Sequence, residues 1–206
     1  MPQADQPGGL APPVVPLAVD RELRDVIRAG PGICVLTGGQ TGVDTVAALA
    51  ALRAGLVTHL VFPQGHLQED GPITQARRQR FRGAQMHELS QAGFRYRTWT
   101  CVCLADAVVL LDPAGGDGCL QTARAAESLG RPLLIPGSGP FEELASPDRL
   151  AAWLRHTGTR VLMVAGCRGS LLGAAGLSRK VRRQADVIAA GARRCHDQMV
   201  AGSPDG

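Results

Sequence analysis

The chain has 206 residues, of which 45% are hydrophobic, enough for one domain with a packed core. Aromatic residues make up only 3%, so neither a base-stacking platform nor a nucleic-acid partner is expected. The net charge is +4, and nearly all the positive charge is arginine, since Lys180 is the single lysine. This leaves no lysine for a P-loop or a Schiff base near the glycine-rich turns described below.

The two ends of the chain differ in composition from its middle. Residues 1–18 are rich in proline and residues 199–206 in small and polar residues, so we expect disordered tails around one domain at residues 19–198. The start lacks the features of a signal peptide, and no apolar run approaches the roughly 18 residues of a membrane span. The six cysteines form no C-x-x-C pair. We therefore expect a cytoplasmic protein with reduced thiols and no membrane partner.

Helix-like and strand-like segments alternate along the predicted domain. Taken in chain order, helices are predicted at residues 20–29, 44–54, 72–81, 94–104, 118–129, 147–156 and 177–195. Apolar strands are predicted at residues 33–37, 57–62, 106–111, 132–135 and 161–165. Residues 94–104 suit either state, and we predict a helix because a clear strand follows. The alternation indicates an α/β, Rossmann-like fold of three layers, with a parallel sheet of about five to seven strands.

A glycine-rich turn, LTGGQTGVD at residues 36–44, joins the first predicted strand to a helix. The unpaired amides and the dipole of such a helix start form an anion site. A second junction of this kind, GGDGC, lies at residues 115–119. Right-handed crossovers bring such loops to the carboxyl edge of a parallel sheet, where ligands bind. The two junctions predict a protein that holds a phosphate-bearing or oxyanionic small molecule.

Two familiar phosphate-binding motifs do not fit this turn. A Walker A motif requires Gly-Lys-Ser/Thr, which is absent, and the dinucleotide motif G-x-G-x-x-G is replaced by the spacing G-G-x-x-G. The acidic residue that binds a ribose about twenty positions later is also missing, because residues 62–64 read Phe-Pro-Gln. The sequence therefore disfavours both ATP hydrolysis and NAD chemistry.

The segment TGGQTGVD at residues 37–44 resembles the opening motif of the molybdenum-cofactor carriers. These belong to the LOG-like Rossmann (SLOG) superfamily, which also contains phosphoribohydrolases that activate cytokinins. The resemblance covers roughly residues 33–175 and continues through FPQG at 62–65, EDG at 69–71, RT at 97–98, the loop at 115–122 and VAGCRGS at 164–170. It implies that backbone amides and arginines hold the phosphate of a molybdenum cofactor (molybdopterin), and that the chain forms a homo-oligomer, a dimer or tetramer.

The chain departs from both families of the resemblance. Cys101 stands where the carriers usually have asparagine, and Thr122 stands where the phosphoribohydrolases have glutamate. A threonine hydroxyl cannot handle the proton that hydrolysis of an N-glycosidic bond requires. The sequence therefore favours carriage over hydrolysis, and no catalytic residue is assigned. A phosphoribohydrolase of nucleoside 5'-monophosphates or a sensor of a signalling nucleotide remains the alternative.

Sixteen residues are predicted to bind the ligand. They are Gly38, Gly39, Gln40, Thr41, Gly42, Asp44, Pro63, Gly65, Arg97, Thr98, Gly115, Gly116, Gly118, Cys119, Thr122 and Arg168. Arg97 and Arg168 are the candidate anion clamps because a guanidinium binds an oxyanion with two hydrogen bonds, although a surface ion pair is the ordinary alternative. For the glycines the alternative is a tight structural turn, and for Asp44 it is compensation of the helix dipole.

Several other polar residues have two interpretations. The arginine run at residues 77–82 forms either a solvated helix face or a positive rim that attracts anions. Cys119 and Cys167 fall at the predicted binding edge, where a thiol can lie near the ligand, but a buried, inert thiol is the ordinary alternative. The five histidines show no metal-ligand spacing, so no metal site is predicted.

Overall fold

In the computed structural model, residues 21–111, 116–135, 146–172 and 179–202 are described. The strands are β1 (Cys34–Thr37), β2 (Thr58–Phe62), β3 (Leu67–Gln68), β4 (Gly71–Pro72), β5 (Gln85–Glu88), β6 (Ala107–Leu111), β7 (Leu133–Leu134) and β8 (Val161–Gly166). The helices are α1 (Arg21–Arg28), α2 (Val43–Arg53), α3 (Gln75–Arg80), α4 (Phe94–Leu104), α5 (Asp117–Ser128), α6 (Pro147–His156) and α7 (Arg179–Ala201), with a 3-10 turn at Gly169–Leu172.

Six strands form one parallel sheet in the order β5-β2-β1-β8-β6-β7, while β3 and β4 pair antiparallel outside it. Helices cover both faces of the sheet, which explains why its central strands are continuous apolar runs. The predicted Rossmann-like fold of three layers is confirmed. Among the helices of the described ranges, none is both long and apolar enough to cross a bilayer.

The side chains of β8 show how the sheet separates two cores. Leu162 and Val164 pack with residues of α2, α6 and α7 on one face. Met163 and Ala165 point to the opposite face and pack with residues of α1, α4 and α5. This alternation follows from the two-residue period of a strand. Ala165 therefore lies at the carboxyl end of the sheet, on the face that α4 and α5 cover.

The structure differs from the sequence prediction at the edge of the sheet. The strand β5 was not expected, because its sequence QMHE is polar and its residues are only partly buried or exposed. Helix α3 begins at Gln75 and not at Pro72, since Pro72 pairs with Leu67 across β3 and β4. The hydroxyl of Thr74 then accepts a hydrogen bond from the Arg77 amide at 3.3 Å and caps the helix. The ambiguous segment at residues 94–104 is helical, as predicted.

One carboxylate, that of Glu69, fastens two turns at the carboxyl edge of the sheet. It accepts hydrogen bonds from the hydroxyl groups of Thr41 and Ser170, and from the Ser170 amide at 3.1 Å. The Arg168 guanidinium lies 3.8 Å away. The Glu69 amide in turn donates to the side chain of Gln40 at 2.9 Å. The turn after β1 is thereby fixed to the turn after β8.

The Glu69 network predicts a pH-dependent contribution to stability. Burial raises the pKa of Glu69, but hydrogen bonds from Ser170 and Thr41 and the charge of Arg168 outweigh it, so the pKa lies below its usual 4.5. A carboxyl with a lower pKa in the folded state stabilises the fold above its unfolded pKa, and this contribution is lost as the pH falls through the folded pKa. We expect Glu69→Gln to lower the free energy of unfolding at pH 7, and the difference from wild type to shrink below about pH 4.5.

Urea unfolding of both proteins between pH 7 and pH 3.5 measures this difference. Glu127→Gln, at the solvent-exposed end of α5, is the matched control and should follow the wild-type curve at every pH. A constant difference between Glu69→Gln and wild type over the whole range would contradict the assignment.

Candidate ligand-binding site

A cleft of about 180 Å³ opens at the carboxyl end of β8, on the face that α4 and α5 cover. β8 lies between β1 and β6, and the turns after β1 and β8 meet the start of α5 around the cleft. In chain order, β5 at one edge of the sheet is followed by β6, which lies on the other side of β1 and β8. Open α/β sheets bind ligands where the strand order changes direction in this way. The lining residues are Gln40, Asp44, Phe94, Arg95, Arg97, Thr98, Gly116, Asp117, Gly118, Cys119, Gln121, Thr122, Met163, Ala165, Gly166, Cys167, Arg168 and Leu171.

A buried ion pair forms one wall of the cleft. Arg97 and Asp44 are only 6% and 4% exposed, and the Nη1 atom of Arg97 lies 3.5 Å from the Oδ2 atom of Asp44. The same carboxyl oxygen accepts a hydrogen bond from the Gln40 amide at 3.2 Å. The guanidinium rests on Gly38, where a Cβ atom would come within 1.2 Å of Nη1. Gly38 is therefore required because its missing side chain leaves space for Arg97.

The ion pair leaves one hydrogen-bond donor unsatisfied. Burial raises the pKa of Asp44, and the charge of Arg97 and the hydrogen bond from Gln40 oppose that rise. The Nε atom of Arg97 is buried and has no acceptor among the described residues. A buried donor without a partner costs about 1–3 kcal/mol. Arg97 also lines the cleft, where an oxyanion can pair with the charge of its guanidinium.

Two further features of the cleft favour anions. The first turn of α5 lines it, and no described side chain caps this helix, so the positive end of its dipole faces the cleft. Arg168 stands at the rim with 45% of its side chain exposed. Asp117 lies in the same turn of α5 and adds one negative charge. The arrangement suits a ligand that combines an anionic group with groups able to donate hydrogen bonds.

Thr122 and two thiols complete the inner part of the cleft. The Thr122 hydroxyl donates a hydrogen bond to the Gly118 carbonyl at 2.8 Å, within α5. No carboxylate therefore occupies the position at which the resembling hydrolases carry glutamate. The Sγ atoms of Cys119 and Cys167 lie 3.6 Å apart, although the two residues are 48 positions apart in the sequence.

The first glycine turn makes mostly internal contacts. Gly42, with φ at 81°, packs against the backbone of residues 167–169, where a Cβ would come within 2.5 Å of the Cys167 carbonyl oxygen. The Val43 amide donates to that carbonyl at 3.0 Å. The Thr41 hydroxyl, already bonded to Glu69, also accepts from the Gly169 amide at 3.0 Å. The start of α2 is thus occupied by the chain itself, whereas the start of α5 faces the cleft.

The structure brings nine of the predicted binding residues to the cleft. These are Gln40, Asp44, Arg97, Thr98, Gly116, Gly118, Cys119, Thr122 and Arg168. Six others do not line it: Gly38 lies beneath Arg97, Gly39 packs on Phe62, Thr41 and Gly42 make the contacts above, and Pro63 and Gly65 follow β2, with the Gly65 amide bonded to Glu88. Gly115 lies outside the described residues. Ligand contact by any of the sixteen remains a prediction.

Sequence reasoning missed several lining residues. They are Phe94, Arg95, Asp117, Gln121, Met163, Ala165, Gly166 and Leu171, whereas Cys167 was expected at the binding edge. A helical period was the available signal, because Gln121 and Thr122 lie three and four positions after Gly118, on one face of α5. The arginine run at residues 77–82 is not among the lining residues, and Arg77 pairs with Asp70 at 2.7 Å. Within the described ranges, no three His, Cys, Asp or Glu side chains are placed to hold a metal ion.

Two solved structures are similar to this chain. The crystal structure of the "putative molybdenum carrier protein" of Syntrophus aciditrophicus has 21% identity and a TM-score of 0.59, and the match covers 78% of this chain and 95% of that one. AtPrR2 in its apo form has 16% identity and a TM-score of 0.36, over 72% of this chain and 55% of that one. The first similarity supports the fold, whereas the second is too low to support a conclusion. A search of the curated proteins finds no significant match.

The match to a family model is stronger evidence of relationship than either structural similarity. The model of the circularly permutated YpsA SLOG family matches residues 35–188, well over half of the chain. The matched segment contains the turn after β1, the helices α4 and α5, and the turn after β8, which together form the cleft. This match confirms the resemblance to the SLOG superfamily and supports a general ligand-binding role. The chain belongs to the circularly permutated YpsA SLOG family.

Proposed function

We propose that this protein binds a molybdenum cofactor, a pterin that carries a phosphate and holds molybdenum through a dithiolene, and that it acts as a carrier. The observation that supports this most directly is the lining of one cleft, in which Arg97, Arg168 and the uncapped start of α5 meet. A phosphate is an acceptor of the required charge and geometry. The proposal includes the cytoplasmic location and the homo-oligomeric state expected from the sequence.

The residues of the cleft fit the parts of this cofactor. Arg97, Arg168 and the amide end of α5 suit the phosphate, because guanidinium groups and a helix N-terminus both favour an oxyanion. Asp117 and Gln121, on the same helix, offer acceptors for the N–H groups of a pterin. When bound, the cofactor supplies a metal centre for redox chemistry in an enzyme that receives it. The protein's own part is to bind it and shield it from water and oxygen.

The similar structure from Syntrophus aciditrophicus agrees with this choice of ligand through its name. At 21% identity that name is a reason to test molybdenum first, while the argument for an anionic ligand comes from the cleft itself. The position of Thr122 favours carriage over hydrolysis, because its hydroxyl is bonded within α5 and supplies no acid or base near neutral pH.

The first prediction concerns cofactor binding itself. Protein purified without oxygen is offered molybdenum cofactor released from a molybdenum enzyme, and we expect about one pterin and one molybdenum per chain after gel filtration. Oxidised pterin fluorescence and elemental analysis measure the two contents. In parallel, incubation with AMP should release no adenine. A protein that neither retains nor takes up pterin and molybdenum would contradict the proposal, and release of adenine would favour the phosphoribohydrolase.

The second prediction concerns the phosphate clamp. Arg168→Ala should weaken cofactor binding by roughly tenfold or more, because a charge-assisted hydrogen bond contributes about 1.5–3 kcal/mol. Arg53→Ala is the matched control, since Arg53 is also an exposed arginine paired with a carboxylate, that of Asp186, but it ends α2 and does not line the cleft. Arg97 is a poor choice for this comparison because its removal leaves Asp44 buried without its partner.

Titration of each variant with cofactor, followed by intrinsic fluorescence, measures these affinities. Equal affinities of wild type, Arg168→Ala and Arg53→Ala would remove Arg168 from the binding site. Thermal unfolding of the free proteins establishes that each variant is folded.

A further inference from the structure

Two thiols meet at the inner end of the cleft. Cys119 belongs to the first turn of α5, and Cys167 directly follows β8. Their exposed fractions are 4% and 3%, both line the cleft, and neither is in a disulfide. The fold alone brings them together, because β8 inserts between β1 and β6 and places its carboxyl end beside the start of α5.

The two sulfur atoms are close enough to bind one metal. Their separation is 3.6 Å. Two thiolates on a tetrahedral ion with metal–sulfur bonds of 2.3 Å lie about 3.8 Å apart. A disulfide would require about 2.05 Å. The pair is therefore close enough to share one metal, and too far apart for a disulfide without movement.

The surroundings decide which kind of metal fits. The described residues provide no third ligand to complete a site for a bare ion. The three lining arginines and the positive end of α5 outweigh Asp44 and Asp117, so the cleft favours an anionic ligand over a free cation. A metal that enters as part of an anionic complex, with most of its ligands already in place, meets both conditions.

We propose that Cys119 and Cys167 bind the metal of an anionic metal complex in the cleft. The inference rests on the proposed function, in which that metal is the molybdenum of the cofactor. Each thiol gives its proton to water as its sulfur takes a coordination position that a water molecule leaves, so no oxidant or reductant is needed. The arginines then hold the phosphate end of the ligand, and the thiols hold its metal end.

The test compares three proteins loaded with molybdenum cofactor without oxygen. They are the wild type, the double variant Cys119→Ser/Cys167→Ser, and Cys103→Ser as the control, a partly buried thiol of α4 that does not line the cleft. X-ray absorption at the molybdenum edge counts the sulfur ligands, and pterin analysis gives the bound cofactor. We expect two fewer sulfur ligands in the double variant than in the wild type, and no change in the control.

A second measurement uses the wild type alone, in case the double variant does not fold. Cofactor should protect Cys119 and Cys167 from alkylation by iodoacetamide, read by mass spectrometry, and should leave Cys103 as reactive as before. Equal sulfur counts in all three loaded proteins, or alkylation that the cofactor does not slow, would overturn the inference while leaving cofactor binding intact. A wild type that binds neither pterin nor molybdenum would overturn the proposed function and this inference together.

Discussion

The buried contact between Arg97 and Asp44 determines the form of the cleft. It joins the start of α2 to α4 across the turn that follows β1, and it exists only because Gly38 has no side chain beneath the guanidinium. Taking both charges out of water costs several kcal/mol per ion. The attraction between the two ions recovers only part of this desolvation free energy. The Nε atom of Arg97 has no hydrogen-bond acceptor among the described residues, which adds to the cost of burying the guanidinium. A site built in this way is stabilised further when an anion binds.

The chain contains two junctions of strand, glycine turn and helix, and packing gives them different roles. At α2, the Cys167 carbonyl and the Asp44 carboxylate accept the amide hydrogens of Val43 and Gln40, and Glu69 fixes the turn from outside. At α5, the helix start faces open space between α4 and β8. Both have the sequence of an anion cradle, but only the second has its positive end toward the cleft. The first supports the wall that the second and Arg97 complete.

The sequence predicted the fold well because buried parallel strands are short apolar runs, and the described elements follow the predicted segments closely. It failed at β5, since an edge strand pairs on one side only and tolerates the polar sequence QMHE. Motif resemblance predicted Arg97 and Thr98 as binding residues. They lie in α4, before β6, where loop position alone would not suggest a binding site. The resemblance could not find the meeting of Cys119 and Cys167, which depends on β8 entering the sheet between β1 and β6.

The combination of charges and thiols limits the kind of ligand more than either feature does. A nucleotide would satisfy Arg97 and Arg168 but carries no metal for the two thiols that line the cleft. A free soft cation would suit the sulfurs, but the three lining arginines and the start of α5 outweigh Asp44 and Asp117 and disfavour it. An anionic ligand that carries its own metal satisfies both groups at once. The charges and the thiols of this one cleft therefore favour the proposed carrier over a nucleotide binder.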